Sequence, residues 1–392
     1  MSHAGLFGRR PQLRRALKVF AAIAVLFLAY LLAWPTPLDP FAWRPPPDPG
    51  TGTGSPFRAT QSMQGVQLLA EAIIRSRFLA AGSPENFGPE DIAISPRDGH
   101  IYTGIGDGSI LRIDAENGDV EVFANTGGRP LGMGFDASGE RLYVADAHRG
   151  LLAVGLDGRV TYLLETLGGE PLTFADNLDV GPDGVVWFSA PTREHTLEQV
   201  EFDVWDSRPS GRLVRYDPAS GDAKVVLDNL FYANGVALAK DGSFVLVNEF
   251  LAFRIRRLWL SGPRAGAHDI FADALPGYPD NITLTPSGSF LVGLSLARIP
   301  ALDAQRERPW AVKAIYRLPG FLKPPSRYPG YLLEFDAEGR LQRMVSDEQP
   351  GRVAQVTAGA VLPSTAPDEA IEVVLGSLLV PAVRKLELAG GR

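Results

Sequence analysis

Four polar residues recur at the head of a repeated sequence pattern. In each copy, a carboxylate or amide residue precedes two apolar residues at alternate positions and then a turn glycine. The copies are PEDIAISPRDG, ADNLDVGPDG, ANGVALAKDG and PDNITLTPSG. The four polar residues are Glu90, Asp176, Asn234 and Asp280. A fifth copy, PLGMGFDASG, has Leu131 in the same place. If the copies are equivalent units around an axis, the four polar side chains converge on it.

Convergence of three carboxylates and one amide predicts a bound cation, because like charges at short range repel one another unless a cation lies between them. A ligand set made only of oxygen atoms suits a hard cation with flexible coordination, so the pattern favours Ca²⁺ over Zn²⁺ and Mg²⁺. Taken singly, aspartate and asparagine are also ordinary turn residues, and this alternative stays open for each of them. The chain contains no cysteine, which excludes thiolate metal sites and cysteine nucleophiles.

The elements that position these residues are predicted to be strands. From residue 88 onward, short apolar runs bounded by Asp-Gly or Ser-Gly turns are typical of antiparallel strands. The copies recur every forty to sixty residues, roughly the length of a four-stranded propeller blade. IEVVLGSLLVPAVRKLEL near the C-terminus indicates a sixth unit. The sequence therefore predicts an all-β, six-bladed propeller with each copy as an innermost strand. A doubly wound α/β fold is disfavoured because no helical periodicity separates the strands.

The N-terminal region predicts a membrane anchor. Residues Ala16 to Trp34 are apolar apart from Lys18, and at about 1.5 Å per residue they nearly cover a ~30 Å hydrocarbon core. Basic residues precede this stretch: Arg9, Arg10, Arg14 and Arg15. The first charge after it is Asp39. The distribution predicts a single-pass protein with a cytoplasmic N-terminus and an extracytoplasmic or periplasmic propeller. A cleaved signal peptide is the alternative, although its apolar region would be shorter.

These features predict four segments. They are a basic cytoplasmic tail at residues 1–15, a transmembrane anchor at 16–34, a linker rich in proline and glycine at 35–60, and the propeller at 61–392. Residues 61–80 favour a short amphipathic helix. Residues 298–329 lack strand alternation and predict a loop or short helices. The net charge of -7 gives no reason to expect a nucleic-acid partner, since such proteins cluster lysine and arginine.

Residues 211–282 strongly resemble strictosidine synthase-like proteins, the family that includes the adipocyte plasma membrane-associated proteins, and GPEDIAI and RLYVADAHRGL extend the likeness. ANGVA and LPGYPDNI are the most specific motifs. The chain is more distantly similar to paraoxonases and to the gluconolactonase/regucalcin group. The resemblance implies a six-bladed propeller with Ca²⁺ in its central tunnel and ligands at the four repeat positions. Many relatives read Asn-Asp where this chain reads Asp176-Asn177, so either residue is a candidate ligand. Asn281 is a further candidate.

The resemblance also bears on the reaction. Strictosidine synthase uses a glutamate in its last blade, but the corresponding place in this chain falls near Thr357 and Ala358. Condensation of the strictosidine synthase type is therefore disfavoured. Paraoxonases have a histidine where this chain has Leu131, which leaves His148 as the candidate tunnel-side base.

The leading hypothesis is a calcium-dependent hydrolase of esters or lactones, similar to an arylesterase or lactonase. Asp280 or Asp176 would serve as the base or the nucleophile, and the residues alone do not separate these roles. The rival hypothesis is a non-catalytic propeller in which calcium ties the blades together and the outer face binds a protein or an envelope ligand.

Overall fold

The computed structural model describes residues 9–82, 86–172, 174–347, 353–363 and 370–389. Within them, six sheets of four or five strands follow one another as the blades of a β-propeller, which confirms the predicted fold. The first blade comprises β3 (Ala93–Ile94), β4 (Ile101–Gly104), β5 (Ser109–Ile113) and β6 (Val120–Asn125). The second comprises β7 (Pro130–Phe135), β8 (Arg141–Asp146), β9 (Gly150–Gly155) and β10 (Val160–Leu164). The third comprises β13 (Leu178–Val180), β14 (Val186–Ala190), β15 (Gly211–Asp217) and β16 (Asp222–Leu230). A small hairpin, β11 (Thr166–Leu167) and β12 (Glu170–Pro171), joins the second blade to the third.

The last three blades use strands from both ends of the chain. The fourth blade comprises β17 (Ala233–Leu238), β18 (Phe244–Glu249), β19 (Arg254–Trp259) and β20 (His268–Ala272). The fifth comprises β21 (Gly277–Leu284), β22 (Phe290–Ala297), β23 (Gly330–Phe335), β24 (Leu341–Asp347) and β1 (Gln61–Ser62). The sixth comprises β25 (Val356–Val361), β26 (Ile371–Ser377), β27 (Val383–Leu388) and β2 (Gln67–Ala70). From β3 to β25, the first strands of consecutive blades contact one another. The five recognised copies therefore provide inner strands, and β25 provides the sixth.

The segment at residues 61–80 differs from its predicted helix. Its first part forms β1 and β2, and only α2 (Ala72–Ala80) is helical. Strand β2 pairs antiparallel with β27, with Gln67 opposite Lys385 and Leu68 opposite Arg384. Pairing with an exposed strand edge satisfies backbone groups that would otherwise stay open, and this outweighs the local helical pattern. An N-terminal strand thus completes the sixth blade.

Apolar faces of adjacent blades form the core. Between the third and fourth blades, Trp187 and Leu213 pack with Val236, Val245 and Val247 in one buried cluster. The turn glycine of each recognised copy adopts a positive φ, a conformation that other residues rarely take. These glycines are Gly99, Gly139, Gly184, Gly242 and Gly288. The repeat is therefore visible in the sequence because each inner strand ends in the same tight turn.

The chain divides into two compact units. One consists of Pro45–Arg298 and Ser326–Arg392 and contains the blades, α2 and α3 (Val200–Asp206). The other consists of Met1–Arg44 and Ile299–Pro325 and contains α1 (Arg9–Ala33), α4 (Pro300–Asp303) and α5 (Pro309–Tyr316). The insertion between β22 and β23 thus forms short helices, as its lack of strand alternation predicts.

Helix α1 carries an apolar stretch, Leu13–Ala33, of 21 residues with a mean hydropathy of 2.4. By length and composition it is long and apolar enough to cross a membrane. The helix begins at Arg9, earlier than the predicted anchor at Ala16, because arginine and leucine also favour helix. Residues 35–60 contain neither helix nor strand.

Candidate metal centre

The structure brings the four repeat side chains together in the interior of the propeller. Glu90 and Asp176 lie just before the inner strands β3 and β13, whereas Asn234 and Asp280 lie within β17 and β21. All four are buried. The Asp280 carboxylate interacts with the Asn234 side chain, and its charge raises the pKa of Glu90, so residues from three blades meet. Asp176 contributes from a fourth blade, because its charge and that of Glu90 act on one another.

Two glycines allow the inner strands to approach this closely. A Cβ atom on Gly132, in β7, would lie 2.6 Å from the backbone oxygen of Asp176. A Cβ atom on Gly235, in β17, would lie 2.5 Å from the backbone oxygen of Asp280. Any larger residue at either position would force neighbouring inner strands apart. Gly235 follows Asn234 directly, so the ANGVA motif combines a candidate ligand with the space that its strand needs.

The carboxylates of this group lack sufficient counter-charge. Burial raises the pKa of Glu90 well above its ordinary value, and the charges of Asp176, Asp280 and Asp91 raise it further. Burial and the charge of Asp280 likewise raise the pKa of Asp176. Burial raises the pKa of Asp280 to about 7, although hydrogen bonds from Ser295 and Asn234 oppose the shift. A cation among these oxygens would favour their ionised forms.

Several oxygens in the same group have no hydrogen-bond partner among the described residues. They are Glu90 Oε2, Asn234 Oδ1 and Asn281 Oδ1, all buried. A fourth belongs to Asn248, whose Nδ2 donates to the backbone oxygen of Asp280. Leaving a buried acceptor unsatisfied costs about 1–3 kcal/mol, so such atoms are uncommon unless a ligand completes them. An oxygen-only donor set of carboxylates and amides fits Ca²⁺.

Across the described residues, no group of three or more histidine, cysteine, aspartate or glutamate side chains is arranged to hold a metal by itself. The proposed donor set at the centre of the propeller combines the carboxylates of Glu90, Asp176 and Asp280 with amide oxygens, since the carboxylates alone are not placed to hold an ion. Asn281 illustrates the arrangement: its Nδ2 donates to Glu90 Oε1 over 2.8 Å, which leaves its Oδ1 unpaired. The fit to Ca²⁺ therefore depends on Asn234 and Asn281 as much as on the carboxylates.

Asp176 and Asn177 have different surroundings. Asn177 Oδ1 accepts a hydrogen bond from the Val236 backbone over 2.8 Å, and its Nδ2 donates to Asp91 Oδ2 over 3.2 Å. The Asn177 amide thus contacts the neighbouring inner strand β17 at one end and Asp91 of the first blade at the other. The Asp176 carboxylate instead faces the charges of Asp280 and Glu90. Of the two candidate ligands, Asp176 is the one that belongs to the oxygen group.

His148 lies on the turn between β8 and β9, away from the environment that the buried carboxylates share. Its side chain is 41% exposed, and its Nε2 lies 2.7 Å from Glu198 Oε1. Glu198 is itself exposed. The structure therefore associates His148 with a surface carboxylate, and its role as a base stays a prediction without support from these contacts.

Three residues near the centre carry no repeat pattern, and none of them was assigned a site role from the sequence. Asp91 accepts hydrogen bonds from the Met133 backbone and Asn177, and burial raises its pKa to about 6. Arg129 is buried and donates to two backbone carbonyls, of Pro130 and Gly88. Thr357 donates to the Glu90 backbone oxygen over 2.5 Å. Asp91 could have been indicated by its adjacency to Glu90, and Thr357 by its place near the last-blade glutamate of strictosidine synthase, whereas Arg129 had no such signal.

Aromatic side chains adjoin the oxygen group. Tyr232 is buried, and its pKa is raised by burial and by the charges of Asp176, Asp203, Asp280 and Glu90. The Tyr232 ring contacts those of Phe174 and Phe250, at centroid distances of 6.1 Å and 5.3 Å. Phe250 in turn contacts Tyr278 at 4.9 Å. These rings form an apolar wall beside the carboxylates.

The fold and its buried oxygen group define a six-bladed propeller with a polar centre. The strictosidine synthase family matches residues 176–263, and the strictosidine synthase-like N-terminal family matches residues 76–113. Strictosidine synthase-like protein 13 of Arabidopsis thaliana is 32% identical over 307 residues, covering 70% of this chain and 76% of that protein. The adipocyte plasma membrane-associated protein of Homo sapiens is 35% identical over 289 residues, covering 66% of this chain and 67% of that protein. The chain belongs to the strictosidine synthase-like family.

Solved structures with the same architecture are more remote. A gluconolactonase from Xanthomonas campestris superposes with a TM-score of 0.57 and 17% identity, covering 90% of this chain and 99% of that one. Regucalcin from Agrobacterium tumefaciens, described as a calcium-binding protein, gives a TM-score of 0.54 and 14% identity over 78% of this chain and 92% of that one. These likenesses confirm the propeller fold.

Proposed function

We propose that this chain is a membrane-anchored, calcium-dependent hydrolase of esters or lactones. The observation that carries the proposal is the set of unpaired, buried oxygens of Glu90, Asn234 and Asn281 beside the carboxylates of Asp176 and Asp280. These five residues would hold the ion. When bound, Ca²⁺ supplies a Lewis acid that polarises a substrate carbonyl and stabilises negative charge on its oxygen.

The Asp280 carboxylate is the better supported base. Hydrogen bonds from Ser295 and Asn234 hold its orientation and oppose the rise that burial causes in its pKa. A carboxylate fixed in this way can take a proton from an attacking water molecule or attack the carbonyl carbon itself. Asp176, which receives its opposing charge from Arg129, is the alternative.

The aromatic wall supports a substrate with an apolar body. Phe174, Tyr232 and Tyr278 are buried, and Tyr232 lies close enough to the carboxylates for their charges to raise its pKa. Small-molecule sites commonly combine such apolar walls with a few converging polar groups. An ester or lactone with an aryl or alkyl substituent would match both parts. Gluconolactonase, a propeller of the same architecture, acts on a lactone by its name.

Anchoring by α1 is part of the proposal. The helix combines an apolar span, Leu13–Ala33, with basic residues at its N-terminal side, which favours a cytoplasmic N-terminus. A relative at 35% identity is named for association with the plasma membrane. The propeller would then lie outside the cytoplasm.

A non-catalytic propeller is the second candidate. Burial of all the proposed ligands favours it, because an ion enclosed by five blade residues can tie strands together without reaching a substrate. Condensation of the strictosidine synthase type would lack the glutamate that strictosidine synthase uses in its last blade. Thr357 lies near the position of that glutamate and donates to the Glu90 backbone oxygen.

The test is a screen of the full-length chain in detergent micelles against aryl esters and lactones, with calcium and with EGTA. The proposal predicts turnover that EGTA abolishes and added Ca²⁺ restores. Calcium binding without turnover on any substrate would favour the non-catalytic candidate. Turnover that is indifferent to EGTA would contradict the role given to calcium.

A further inference from the structure

The smaller unit has an apolar surface that the proposed hydrolysis does not use. In the insertion Ile299–Pro325, the side chains of Trp310, Phe321 and Leu322 are 63%, 85% and 51% exposed. Phe321 and Leu322 are adjacent in a single 3-10 turn, Gly320–Leu322, that follows α5 and ends before Lys323. Neighbouring apolar side chains that point into water typically mark a surface that contacts a partner or a membrane.

This insertion is attached to the end of the apolar helix. Arg317 Nη1 donates to the backbone oxygen of Leu31 over 2.7 Å, and α5 packs against α1. Farther along, the Trp43 backbone donates to the Arg306 oxygen over 3.3 Å. Leu31 lies two residues before the end of the apolar stretch at Ala33, which is about 3 Å along a helix axis. The Arg317 guanidinium is therefore level with the C-terminal end of that stretch.

The side chains around this attachment are those that membrane proteins place at the lipid headgroups. Tyr30, Trp34 and Tyr316 line one cleft together with Arg317 and Lys323. Lys323 Nζ lies 4.6 Å from the centre of the Tyr316 ring. Tyrosine and tryptophan concentrate at the membrane–water boundary, and lysine and arginine there extend their charge toward the headgroups.

The charge of the insertion differs from that of the whole chain. Residues 299–325 contain five basic and two acidic residues, whereas the chain as a whole has a net charge of -7. A basic segment beside exposed apolar residues is suited to a surface with anionic lipids. The same segment thus has the charge, the aromatic residues and the attachment point expected at a bilayer surface.

We propose that the insertion Ile299–Pro325 is a second membrane contact that rests in the lipid headgroups and buries Phe321 and Leu322 at the boundary with the acyl chains. The inference rests on the proposed anchoring by α1. It adds a surface contact to the transmembrane one, on the side of the membrane where α1 ends.

The absence of cysteine makes a site-specific test direct. Single cysteines are introduced into the full-length chain as Gly320→Cys, Leu28→Cys and Leu156→Cys, and each is labelled with bimane. Nothing lies within 4 Å of a Cβ at Gly320, so the label fits there and leaves Phe321 and Leu322 intact. Leu28 reports on α1, and the exposed Leu156 in the propeller gives the background. The proteins are reconstituted in phosphatidylcholine vesicles with a minor fraction of phosphatidylglycerol, and brominated lipids serve as quenchers.

We expect quenching at residue 320 comparable with that at residue 28 and several times the background at residue 156. Adding Leu322→Asp should lower quenching at residue 320 severalfold and leave quenching at residue 28 unchanged. Quenching at residue 28 with only background at residue 320 would overturn the second contact while the anchor stands. Background at both positions would overturn the anchor and the inference together. Protection of residue 320 from both brominated lipid and aqueous iodide would indicate a protein contact and also overturn the inference.

Discussion

Two groups of buried carboxylates in the propeller differ in how their charge is balanced. Glu249, at the end of β18, is fully buried and contacts Arg254 and Arg256, with Arg254 Nη2 3.0 Å from Oε1 and Arg256 Nη2 2.9 Å from Oε2. Burial alone would raise the pKa of Glu249, but the hydrogen bond and charge of Arg254, with the charge of Arg256, hold it below its ordinary value. The pKa values of the central carboxylates are shifted in the opposite direction, because burial and mutual repulsion raise the pKa of Glu90 and Asp176.

The comparison separates a carboxylate with its own counterions from one that lacks them. Arg129 is the cation that opposes the shifts at Glu90 and Asp176, yet it donates to backbone carbonyls instead of to either carboxylate. Glu249 thus stabilises the fold without a ligand. The central group gains most from an added cation, which is the physical basis for the calcium proposal.

The largest expected effect is at Asp280. Asp280→Asn removes the proposed base and one charged ligand while keeping the side-chain size, so kcat/KM on any ester or lactone substrate should fall by about 1,000-fold, equivalent to about 4 kcal/mol. Steady-state kinetics of the full-length chain measures this. Asp183→Asn, in an exposed turn, is the matched control and should leave the activity unchanged. Full activity in Asp280→Asn would remove this residue from the mechanism.

At the structural carboxylate, Glu249→Gln should lower the free energy of unfolding by about 3 kcal/mol, because two arginines lose their buried partner. Urea unfolding followed by circular dichroism measures the change. Calcium affinity, determined on the folded variant, should match that of the wild type. A weakened calcium affinity with unchanged stability would reverse the roles given to the two carboxylate groups.

Calcium removal tests the central group as a whole. A ligand that binds only the folded chain adds about 2.7 kcal/mol at a hundredfold excess over Kd, so EGTA should lower the melting temperature measurably. The same decrease is expected in Glu249→Gln, since its site is independent. An unchanged melting curve, with no metal found by elemental analysis, would contradict the proposed site.

Asn234→Asp addresses catalysis more than stability. The change keeps an oxygen at the same position and adds a negative charge, so the melting temperature in calcium should stay equal or rise. A more fully neutralised ion is a poorer Lewis acid, so kcat should fall about tenfold or more, at least ~1.4 kcal/mol. Leu131→Ala, at the same repeat position, is the control that should leave calcium affinity nearly intact. Full activity in Asn234→Asp would remove Asn234 from the ion's ligands.

The smallest effect is the pH dependence that Glu249 contributes. Its pKa is lower in the folded chain than in the unfolded chain, so its stabilisation is present above the unfolded pKa and is lost as pH falls through the folded pKa. Unfolding free energies of the wild type should therefore decrease more steeply below about pH 4 than those of Glu249→Gln. If the unfolding free energies of the two proteins had the same pH dependence, the contacts with Arg254 and Arg256 would not lower the pKa of Glu249 as described.

Much of the propeller could be predicted because its repeat is local. The turn glycines, such as Gly184 and Gly242, require a positive φ, and the alternating apolar residues before them follow from strands with one buried face. The convergence of Glu90 with Asp280 follows from equivalent places in a ring. Whether these residues bind calcium stays a proposal.

Other features depend on contacts that the chain order does not reveal. Strand β2 exists because β27 offers it an edge far along the chain, and its own residues do not alternate clearly. The choice between Asp176 and Asn177 depends on which side chain faces which neighbour, since adjacent residues of an extended chain point in opposite directions. Arg129 could not be predicted because it is a single residue that does not recur with the repeat.

Calcium titration calorimetry on the full-length chain, stripped with EGTA and held in detergent micelles, tests the central claim most directly. We predict one ion bound per chain in the wild type, loss of that binding in a variant with Asn234→Leu and Asp280→Asn, and unchanged binding in Glu249→Gln. Absence of calcium binding in the folded wild-type chain, or binding that survives in the doubly substituted variant, would contradict the assignment of the buried oxygens to a metal.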